Sequence, residues 1–297
     1  MPHGLTVLIP CKDERRHLPG AVASAQAIAD EVLVADSGST DGTLQLAREL
    51  GCRVIEREYV TSGDFKNWAI PQATYDWVLI VDADERVSPK LAREIKQRLA
   101  KPATADGYWV RRVNQFFGKP LRFGSWRPTR LLRFFRRDFG RYVGDTDHAE
   151  VSISTGRVGK LRSPLHHLAI WSYERYLPKL YRYADVQAQL WHGRGRRTNI
   201  WQLVFRGPLR FGQDYVLRGG LFDGAAGLQS AVLVAYGSYL KQARLWELQQ
   251  LAEQRQREQQ QTPAPPSATL SDSAAADSTP SGSTSITPNS ESIDTAA

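Results

Sequence analysis

The stretch Trp77-Val-Leu-Ile-Val-Asp-Ala-Asp-Glu85 decides the fold of this 297-residue chain. Its first five residues, Trp77 to Val81, are apolar and mostly β-branched or aromatic, which predicts a strand buried on both faces. Three acids follow within four positions, and clustered carboxylates at the end of a buried strand are costly without a compensating charge. Alone, the stretch has two interpretations, a divalent-metal site at the carboxyl end of a parallel sheet or an acidic surface loop.

Strands and helices are predicted to alternate on both sides of this stretch. A helix beginning at Pro89 would place Leu91, Ile95 and Leu99 on one face. The order of elements predicts an α/β domain with a mostly parallel sheet and helices on both faces. The predicted strands are 5–10, 31–36, 53–56, 77–81 and 107–111, and the other predicted helices are 18–29, 43–50 and 64–73.

Composition narrows the class of protein. Two cysteines, Cys11 and Cys52, lack metal-ligand spacing, which predicts free thiols in a reduced, cytoplasmic setting. The start of the chain lacks the pattern of a signal peptide, and no window reaches ~18 uninterrupted apolar residues, so we expect no spanning helix. The absence of Gly-x-Gly-x-x-Gly and of Gly-Lys-Ser/Thr disfavours dinucleotide dehydrogenases and P-loop nucleotidases.

Acidic residues follow three of the predicted strands. Asp13-Glu14, Asp36 and Asp82 with Asp84 stand at the ends of the first, second and fourth strands. Because the carboxyl ends of parallel strands meet at one edge of a sheet, we expect these acids to lie close together.

Four motifs carry a resemblance to a known family. Pro10-Cys-Lys-Asp-Glu14, Val34-Ala-Asp-Ser-Gly-Ser-Thr-Asp-Gly-Thr43, Lys66-Asn67 and Asp82-Ala-Asp-Glu85 follow the order and spacing of glycosyltransferase family 2. The chain therefore resembles that family, whose fold is GT-A. It is similar in particular to the lipopolysaccharide-core β-glucosyltransferase subgroup. That similarity rests on Trp126 with Arg130 to Arg137, Gly159 to His166 and Leu217 to Gly224.

The resemblance implies an inverting enzyme that transfers a hexose from a nucleotide sugar such as UDP-glucose, with Mg²⁺ or Mn²⁺ as cofactor. It implies that Asp84 holds the metal, with Asp82 near the ribose and as a second candidate ligand. His166, or its neighbour His167, is a candidate for a further ligand. The remaining implied donor-site residues are Pro10 and Glu14 against the nucleoside, Asp36 on the base, and Lys66 and Asn67 facing the donor.

Downstream segments are expected to supply the base and the acceptor site. Relatives usually show His-Glu where this chain has His148-Ala149-Glu150, which leaves Glu150 and Asp147 as alternative catalytic bases. Trp126, Arg130 and Arg133 are the candidate acceptor-binding residues.

The resemblance also divides the chain. Residues 1–168 would form the GT-A catalytic domain, with a nucleotide-binding half at 1–110 and an acceptor half at 111–168. Residues 169–261 would form a basic, aromatic helical extension. The composition of residues 262–297, almost all Ser, Thr, Ala, Pro, Asp and Gly, predicts a disordered tail.

Positive charge is concentrated in the middle of the chain. Residues 111–218 contain 22 Lys and Arg against 7 Asp and Glu, whereas the whole chain has a net charge of +8. A polyanionic partner is therefore expected there. Beside a nucleotide-sugar site, this charge favours an anionic glycolipid or polysaccharide acceptor over nucleic acid. It also favours peripheral contact with an anionic membrane, at the cytoplasmic face of the plasma membrane.

Three alternatives stay open. Residues 201–222 are suited to lying in a bilayer interface or to closing the domain as core helices. The arginines also suit transfer to a polyprenyl phosphate. A non-enzymatic adaptor that binds membrane or nucleic acid would use the same charge, but intact Asp36, Lys66, Asp82 and Asp84 argue against it.

Overall fold

Alternating strands and helices build the first part of the protein in the computed structural model, which describes residues 3–144 and 149–261. β1, β2, β3 and β4 are parallel and lie side by side in the order β3-β2-β1-β4. Their bounds, in chain order, are β1 (Leu5–Cys11), α1 (Leu18–Gln26), β2 (Glu31–Asp36), α2 (Thr43–Glu49), β3 (Arg53–Glu56), α3 (Ser62–Ala69) and β4 (Trp77–Ile80).

Strand β4 is buried on both faces, as predicted. Trp77 and Leu79 pack in the hydrophobic cluster that contains the buried residues of α1, whereas Val78 and Ile80 pack in the cluster on the side of α3. All four residues are fully or nearly fully buried. The alternation follows from the two-residue period of a strand. Because β4 runs parallel to β1, the turn after Ile80 lies at the carboxyl edge of the parallel strands.

A mixed region continues the sheet beyond β4. Among the described residues, nine strands form one sheet, which continues from β4 in the order β8-β6-β11-β5, with β7 paired to β6. The pair β6 and β11 is parallel, and the other pairs in this region are antiparallel. The separate antiparallel hairpin of β9 and β10 lies beside α3. The bounds are β5 (Glu85–Val87), α4 (Pro89–Leu99), β6 (Gly107–Phe116), β7 (Lys119–Pro120), β8 (Thr129–Arg136), β9 (Gly140–Val143), β10 (Glu150–Ile153) and β11 (Val158–Ile170).

Several boundaries differ from the predicted ones for local reasons. β6 extends five residues past its predicted end because β8 and β11 pair with it along its length. α3 begins at Ser62 because Thr61 caps it, its Oγ1 accepting a hydrogen bond from the Asp64 N–H at 3.2 Å. α4 matches its prediction, with Leu91, Ile95 and Leu99 buried on one face.

Three helices follow the sheet, α5 (Tyr173–Gly193), α6 (Ile200–Gly212) and α7 (Gly224–Gln261). Phe116, Leu121 and Ile170 pack with Ala226 and Leu233 of α7, which joins these helices to β6 and β11. Residues up to Glu253 form one compact unit, and residues 254–261 are described only as the helical end of α7. None of the helices in the described parts of the chain is long and apolar enough to cross a membrane. The predicted disordered tail, 262–297, lies outside the described residues.

Candidate active site

The carboxyl ends of β1, β2 and β4 lie at the same edge of the sheet. Cys11 and Asp36 are paired residues at the ends of β1 and β2, and β4 is the neighbour of β1 on the other side. The loops that follow these strands carry the acidic residues of the first, second and fourth motifs. The topology therefore brings together acidic residues that are far apart in the sequence, from Asp13 to Asp84, as the sequence predicted.

Two of the motif loops are hydrogen-bonded to each other. The Asp13 N–H donates to Ser39 Oγ at 2.8 Å, and the Thr40 N–H donates to Asp13 Oδ1 at 2.8 Å. The Glu14 N–H donates to Thr43 Oγ1 at 2.9 Å. Asp13 adopts a left-handed backbone conformation, with φ of 53°, which turns its carboxylate towards the second loop.

The carboxylate of Asp36 is buried and holds its own turn. Its Oδ1 accepts from the N–H groups of Gly38 and Ser39, both at 2.8 Å, and its Oδ2 accepts from Ser39 Oγ at 2.5 Å. The thiol of Cys11 lies 3.5 Å from the same Oδ2. The observed contacts of Asp36 are thus structural, and its predicted contact with a base stays a prediction.

Glu85 closes the turn that carries Asp82 and Asp84. Its Oε2 accepts from the Asp82 N–H at 3.0 Å, and its own N–H donates to the Asp82 carbonyl at 2.8 Å. The side chain is completely buried, and this burial raises its pKa to about 7. Glu85 therefore positions its two neighbours from inside the protein.

Asp82 forms an ion pair with Arg133 of β8. Arg133 Nη2 lies 2.5 Å from Asp82 Oδ2, and Nη1 lies 3.4 Å from Oδ1. Lys66 Nζ is 3.9 Å from Oδ1 on the side of α3. Burial alone would raise the pKa of Asp82, but the charges of Arg133 and Lys66 outweigh it and hold the pKa well below its usual range. Asp82 is therefore ionised at neutral pH.

Asp84 faces a histidine of β11. Asp84 Oδ2 lies 3.2 Å from His167 Nε2, and His167 Nδ1 lies 2.7 Å from Asn114 Oδ1 on β6. Asn114 Nδ2 donates to the Trp126 carbonyl at 3.0 Å, which fixes the orientation of the amide. The network therefore assigns the proton to Nδ1 in the neutral ring and directs the Nε2 lone pair at the carboxylate.

This arrangement fits a cation between Asp84 and His167. Two facing lone pairs repel each other unless a proton or a metal ion lies between them. A ligating histidine commonly donates its second ring N–H to a neighbouring oxygen, as His167 does to Asn114. Within the described residues no group of three His, Cys, Asp or Glu side chains could hold a metal ion together, so further ligands would come from a bound nucleotide and water.

The sequence left two histidines as candidates, and the contact to Asp84 comes from His167. Successive side chains of a strand point to opposite faces, so His166 faces away from the side on which His167 meets Asn114. Burial lowers the pKa of His166, which favours its neutral form. The position of His166 therefore favours a structural role over ligation.

Glu14 lies near the metal motif. Pro10 is the one partly exposed residue of β1 and stands one position before its last residue, Cys11. Burial, followed by the charge of Asp84, raises the pKa of Glu14 to about 7. The cations of Lys179 and Arg175 on α5 act in the opposite direction. The first turns of α5 therefore bring positive charge to this end of the site.

Lys66 and Asn67 occupy different environments on α3. Lys66 Nζ contacts Ser62 Oγ at 3.0 Å and lies 3.9 Å from Asp82 Oδ1, and its predicted contact with the donor stays a prediction. The Asn67 amide is instead hydrogen-bonded to the backbone of β9. Its Nδ2 donates to the Tyr142 carbonyl at 2.9 Å, and its Oδ1 accepts from the Tyr142 N–H at 2.8 Å. Both ends of the amide hold the backbone of the hairpin, so its observed role is to position β9 rather than to face the donor.

The three candidate acceptor residues are placed apart from one another. Trp126 lies half-buried against Tyr176 of α5, with ring centroids 6.2 Å apart. The Arg130 side chain donates to the Leu161 carbonyl at 3.0 Å. Arg133 is only 6% exposed and is paired with Asp82, so its side chain lacks the exposure that acceptor binding requires.

The candidate bases fall at the start of the hairpin strand β10. Asp147 lies outside the described residues. Glu150 is exposed at the first position of β10, where it alternates with Val151, which packs against the core cluster beside α3. Its predicted role as the catalytic base stays a prediction.

Asn114 and Tyr142 are the residues that sequence reasoning missed. Asn114 orients His167, and Tyr142 contacts both Asn67 and Arg133. The only sequence signal for Asn114 was a polar residue between the apolar Val113 and Phe116, just beyond the predicted strand 107–111. The structure extends the strand and buries Asn114, which therefore requires a partner in the core. No comparable signal pointed to Tyr142.

Known proteins resemble this chain over most of its length. Residues 6–158 match glycosyl transferase family 2. The lipopolysaccharide core biosynthesis glycosyltransferase LpsC of Rhizobium meliloti is 28% identical over 82% of this chain and 92% of its own length. An uncharacterized glycosyltransferase of Rickettsia felis is 27% identical over 82% of this chain and 89% of its own length.

Solved structures are similar at a lower level. Glucosyl-3-phosphoglycerate synthase from Mycobacterium tuberculosis, in complex with Mn²⁺, UDP and glucosyl-3-phosphoglycerate, has 15% identity and a TM-score of 0.44 over 66% of this chain and 82% of that one. The mannosyltransferase PcManGT from Pyrobaculum calidifontis, in complex with GDP-Man and Mn²⁺, has 18% identity and a TM-score of 0.43 over 88% of this chain and 81% of that one. Because its residues 6–158 match that family, the chain belongs to glycosyl transferase family 2.

Proposed function

We propose that this glycosyltransferase moves a hexose from a nucleotide sugar, UDP-glucose or a similar donor, to a hydroxyl group of an anionic glycolipid or polysaccharide precursor. A lipopolysaccharide core is the acceptor class that agrees with the name of the relative LpsC. The transfer inverts the configuration at the anomeric carbon. The proposal refines the family assignment by naming the donor, the acceptor class and the metal.

One observation carries the proposal, the arrangement of Asp84 and His167 at 3.2 Å at the carboxyl edge of the parallel strands. An oxygen ligand and an imidazole nitrogen at this separation would hold Mg²⁺ or Mn²⁺ together with the phosphates of the donor. The ion, when bound, stabilises the negative charge that develops on the nucleotide diphosphate as it leaves. Asp82, Lys66, Pro10 and Glu14 surround the same edge and would contact the rest of the donor.

The chemistry on the acceptor side requires a base. The acceptor oxygen forms a bond to the anomeric carbon, the bond from that carbon to the phosphate oxygen breaks, and a carboxylate takes the hydroxyl proton. Glu150 and Asp147 are the proposed alternatives for that carboxylate, since both belong to the segment that follows β9. Trp126 and Arg130 remain the proposed acceptor contacts.

The proposed setting is the cytoplasmic face of the plasma membrane. Exposed apolar side chains on α6, including Trp201 and Leu209, alternate with exposed arginines such as Arg206. Interfacial helices combine such apolar and basic faces, and anionic lipids attract the basic side chains. These features support peripheral contact with an anionic membrane.

A test incubates the protein with a panel of nucleotide sugars and Mn²⁺ and measures thermal stabilisation and donor hydrolysis. We expect UDP-hexoses to stabilise the wild type and Asp84→Asn to lose the Mn²⁺-dependent part of that shift. Asp138→Asn is the matched control, because its exposed carboxylate pairs at the surface with Arg137. If no nucleotide sugar stabilises the wild type, the transferase proposal is wrong, and the adaptor interpretation gains support.

A further inference from the structure

The segment Leu217-Arg-Gly-Gly-Leu-Phe-Asp-Gly224 lies between α6 and α7. It holds the loop that leads to Trp126. Asp223 Oδ2 accepts from the N–H groups of Arg122 and Phe123 at 2.8 and 2.9 Å, and the Arg218 carbonyl accepts from the Gly124 N–H at 3.1 Å. This segment therefore ties the C-terminal helices to the 122–126 loop.

Two arginines converge on one hydroxyl group of that loop. Arg210 Nη2 and Arg218 Nη1 donate to Ser125 Oγ at 2.9 and 2.8 Å. Ser125 Oγ in turn donates to Asp214 Oδ1 at 2.5 Å, and Arg218 Nη1 lies 3.5 Å from the same Oδ1. Asp214 is only 1% exposed, so this buried carboxylate holds Arg218 directly and Arg210 through Ser125.

The cluster carries excess positive charge. Asp214 compensates only one of the two arginines. Lys241 of α7 lies nearby, since its pKa is lowered by burial and then by the charge of Arg210. Arg210 Nη1 also donates to Gln213 Oε1 at 2.7 Å. Each guanidinium group has further N–H donors beyond these contacts, and such donors bind phosphate oxygens.

Exposed apolar side chains surround the arginines. Leu217 is 81% exposed and Phe222 is 71% exposed. Phe222 packs against the exposed ring of Phe123, with centroids 5.5 Å apart, and Val216 is exposed one position before Leu217. A basic site within an apolar rim complements an amphiphile that has an anionic head and apolar tails.

We propose that Arg210 and Arg218, seated on Ser125 and Asp214, bind the phosphate head group of an anionic membrane lipid while Leu217 and Phe222 enter the apolar layer beside it. The lipid is the chosen source of phosphate because the apolar rim would serve no purpose for a free phosphate ion. Ser125 precedes Trp126, whose carbonyl orients Asn114 and thus His167. Delivery of a lipid-linked acceptor to the active site by this route rests on the proposed function, whereas lipid binding itself does not.

The test measures binding to phosphatidylcholine vesicles with and without phosphatidylglycerol, in the absence of nucleotide. Arg210→Gln with Arg218→Gln should weaken binding to the anionic vesicles about 30-fold, since each basic residue near an anionic surface contributes about a factor of five. Arg93→Gln with Lys96→Gln is the matched control, because these exposed residues of α4 carry the same total charge and should leave binding within about twofold of the wild type.

A second double variant distinguishes specific binding by the guanidinium groups from general attraction of positive charge to the anionic surface. It also keeps the positive charge beside Asp214. Arg210→Lys with Arg218→Lys keeps both charges but loses the planar forks, so the proposal requires a several-fold loss of binding. Equal binding by the Lys pair and the wild type, or equal losses in the Gln pair and the α4 control, would overturn the proposal. Stabilisation of the wild type by inorganic phosphate without any binding to anionic vesicles would assign the site to a soluble phosphate instead. Because no nucleotide is present, failure here leaves the transferase proposal intact.

Discussion

Arg133 of β8 and Asp82, which follows β4, form a two-pronged ion pair at the base of the candidate active site. Arg133 Nη2 also lies 3.9 Å from Glu85, so one buried guanidinium group faces two carboxylates. The two strands are antiparallel neighbours, with Leu79 opposite Phe134, which brings Arg133 to the end of β4. These contacts indicate a structural role for Arg133 rather than a role in binding the substrate.

Replacing Arg133 by Met should therefore destabilise the fold. We expect Arg133→Met to lower the free energy of unfolding by about 3 kcal/mol, the low end for breaking a buried pair, since Asp82 is partly exposed. Arg130→Met, on the same strand but exposed, should cost about 1 kcal/mol or less. Denaturant unfolding measures both. Adding Asp82→Asn and Glu85→Gln to Arg133→Met should recover part of the lost stability. Equal losses in Arg133→Met and Arg130→Met would contradict a structural role for Arg133.

Manganese binding distinguishes the two neighbouring histidines. Asn114→Leu should weaken Mn²⁺ binding in the presence of UDP about 10- to 100-fold, because it leaves the His167 ring unoriented, and His167→Ala should weaken it at least as much. His166→Ala is the control and should bind Mn²⁺ like the wild type. Electron paramagnetic resonance of free and bound Mn²⁺ measures the affinity without relying on activity. A larger loss for His166→Ala than for His167→Ala would reverse the assignment.

Asp106 provides a pH-dependent contribution to stability far from the metal motif. It accepts hydrogen bonds from Thr155 Oγ1 at 2.7 Å and from Arg157 Nε at 2.8 Å. Burial alone would raise its pKa, but these hydrogen bonds and the charge of Arg157 outweigh burial and lower the pKa. A lowered pKa stabilises the fold at pH values above the ordinary Asp value of about 3.9, and this stabilisation is lost as pH falls through the folded-state pKa.

Asp106→Asn should consequently lower the free energy of unfolding by about 1–3 kcal/mol at pH 7, because it weakens hydrogen bonds of a buried group. The difference from the wild type should shrink as pH falls below about 4. Urea unfolding at several pH values measures this trend. Asp138→Asn is the control, since that side chain is exposed and pairs only at the surface with Arg137. A difference that grows on acidification would refute the explanation.

Two helical glycines form a matched pair for packing. A Cβ on Gly227 of α7 would lie 1.9 Å from the Gly220 carbonyl oxygen, whereas a Cβ on Gly212 of α6 would meet no atom within 4 Å. Gly227→Ala should destabilise the protein by about 1–3 kcal/mol through overpacking. Gly212→Ala should stabilise it by about 0.5–1 kcal/mol through helix propensity. Thermal unfolding compares them, and similar shifts in both variants would mean that α7 and the 217–224 segment do not pack closely.

The parallel half of the fold was predictable because each of its strands carries its own signal. The buried strand at 77–81 and the acids that follow three strands place Asp36, Asp82 and Asp84 at one edge without any knowledge of distant contacts. The family assignment followed from motifs that are local in the same sense, and the match over residues 6–158 confirms it.

The partners of these acids were less predictable because strand register decides them. Asp82 meets Arg133 across 51 positions and Asp84 meets His167 across 83. A shift of one residue in β11 would present His166 instead, and nothing in the order His166-His167 indicates which of them faces the acid. The choice between an exposed and a buried Arg133 depends in the same way on the pairing of β8 with β4.

The hydrogen bonds between the Asp13 loop and the Ser39–Thr43 turn have a thermodynamic consequence for ligand encounter. Loops that are already ordered lose little conformational entropy when a ligand arrives, so more of the contact energy is available as affinity. The two loops constrain each other through at least three hydrogen bonds, and Asp36 fixes the second loop from within. These two loops would therefore receive a nucleotide as a rigid template.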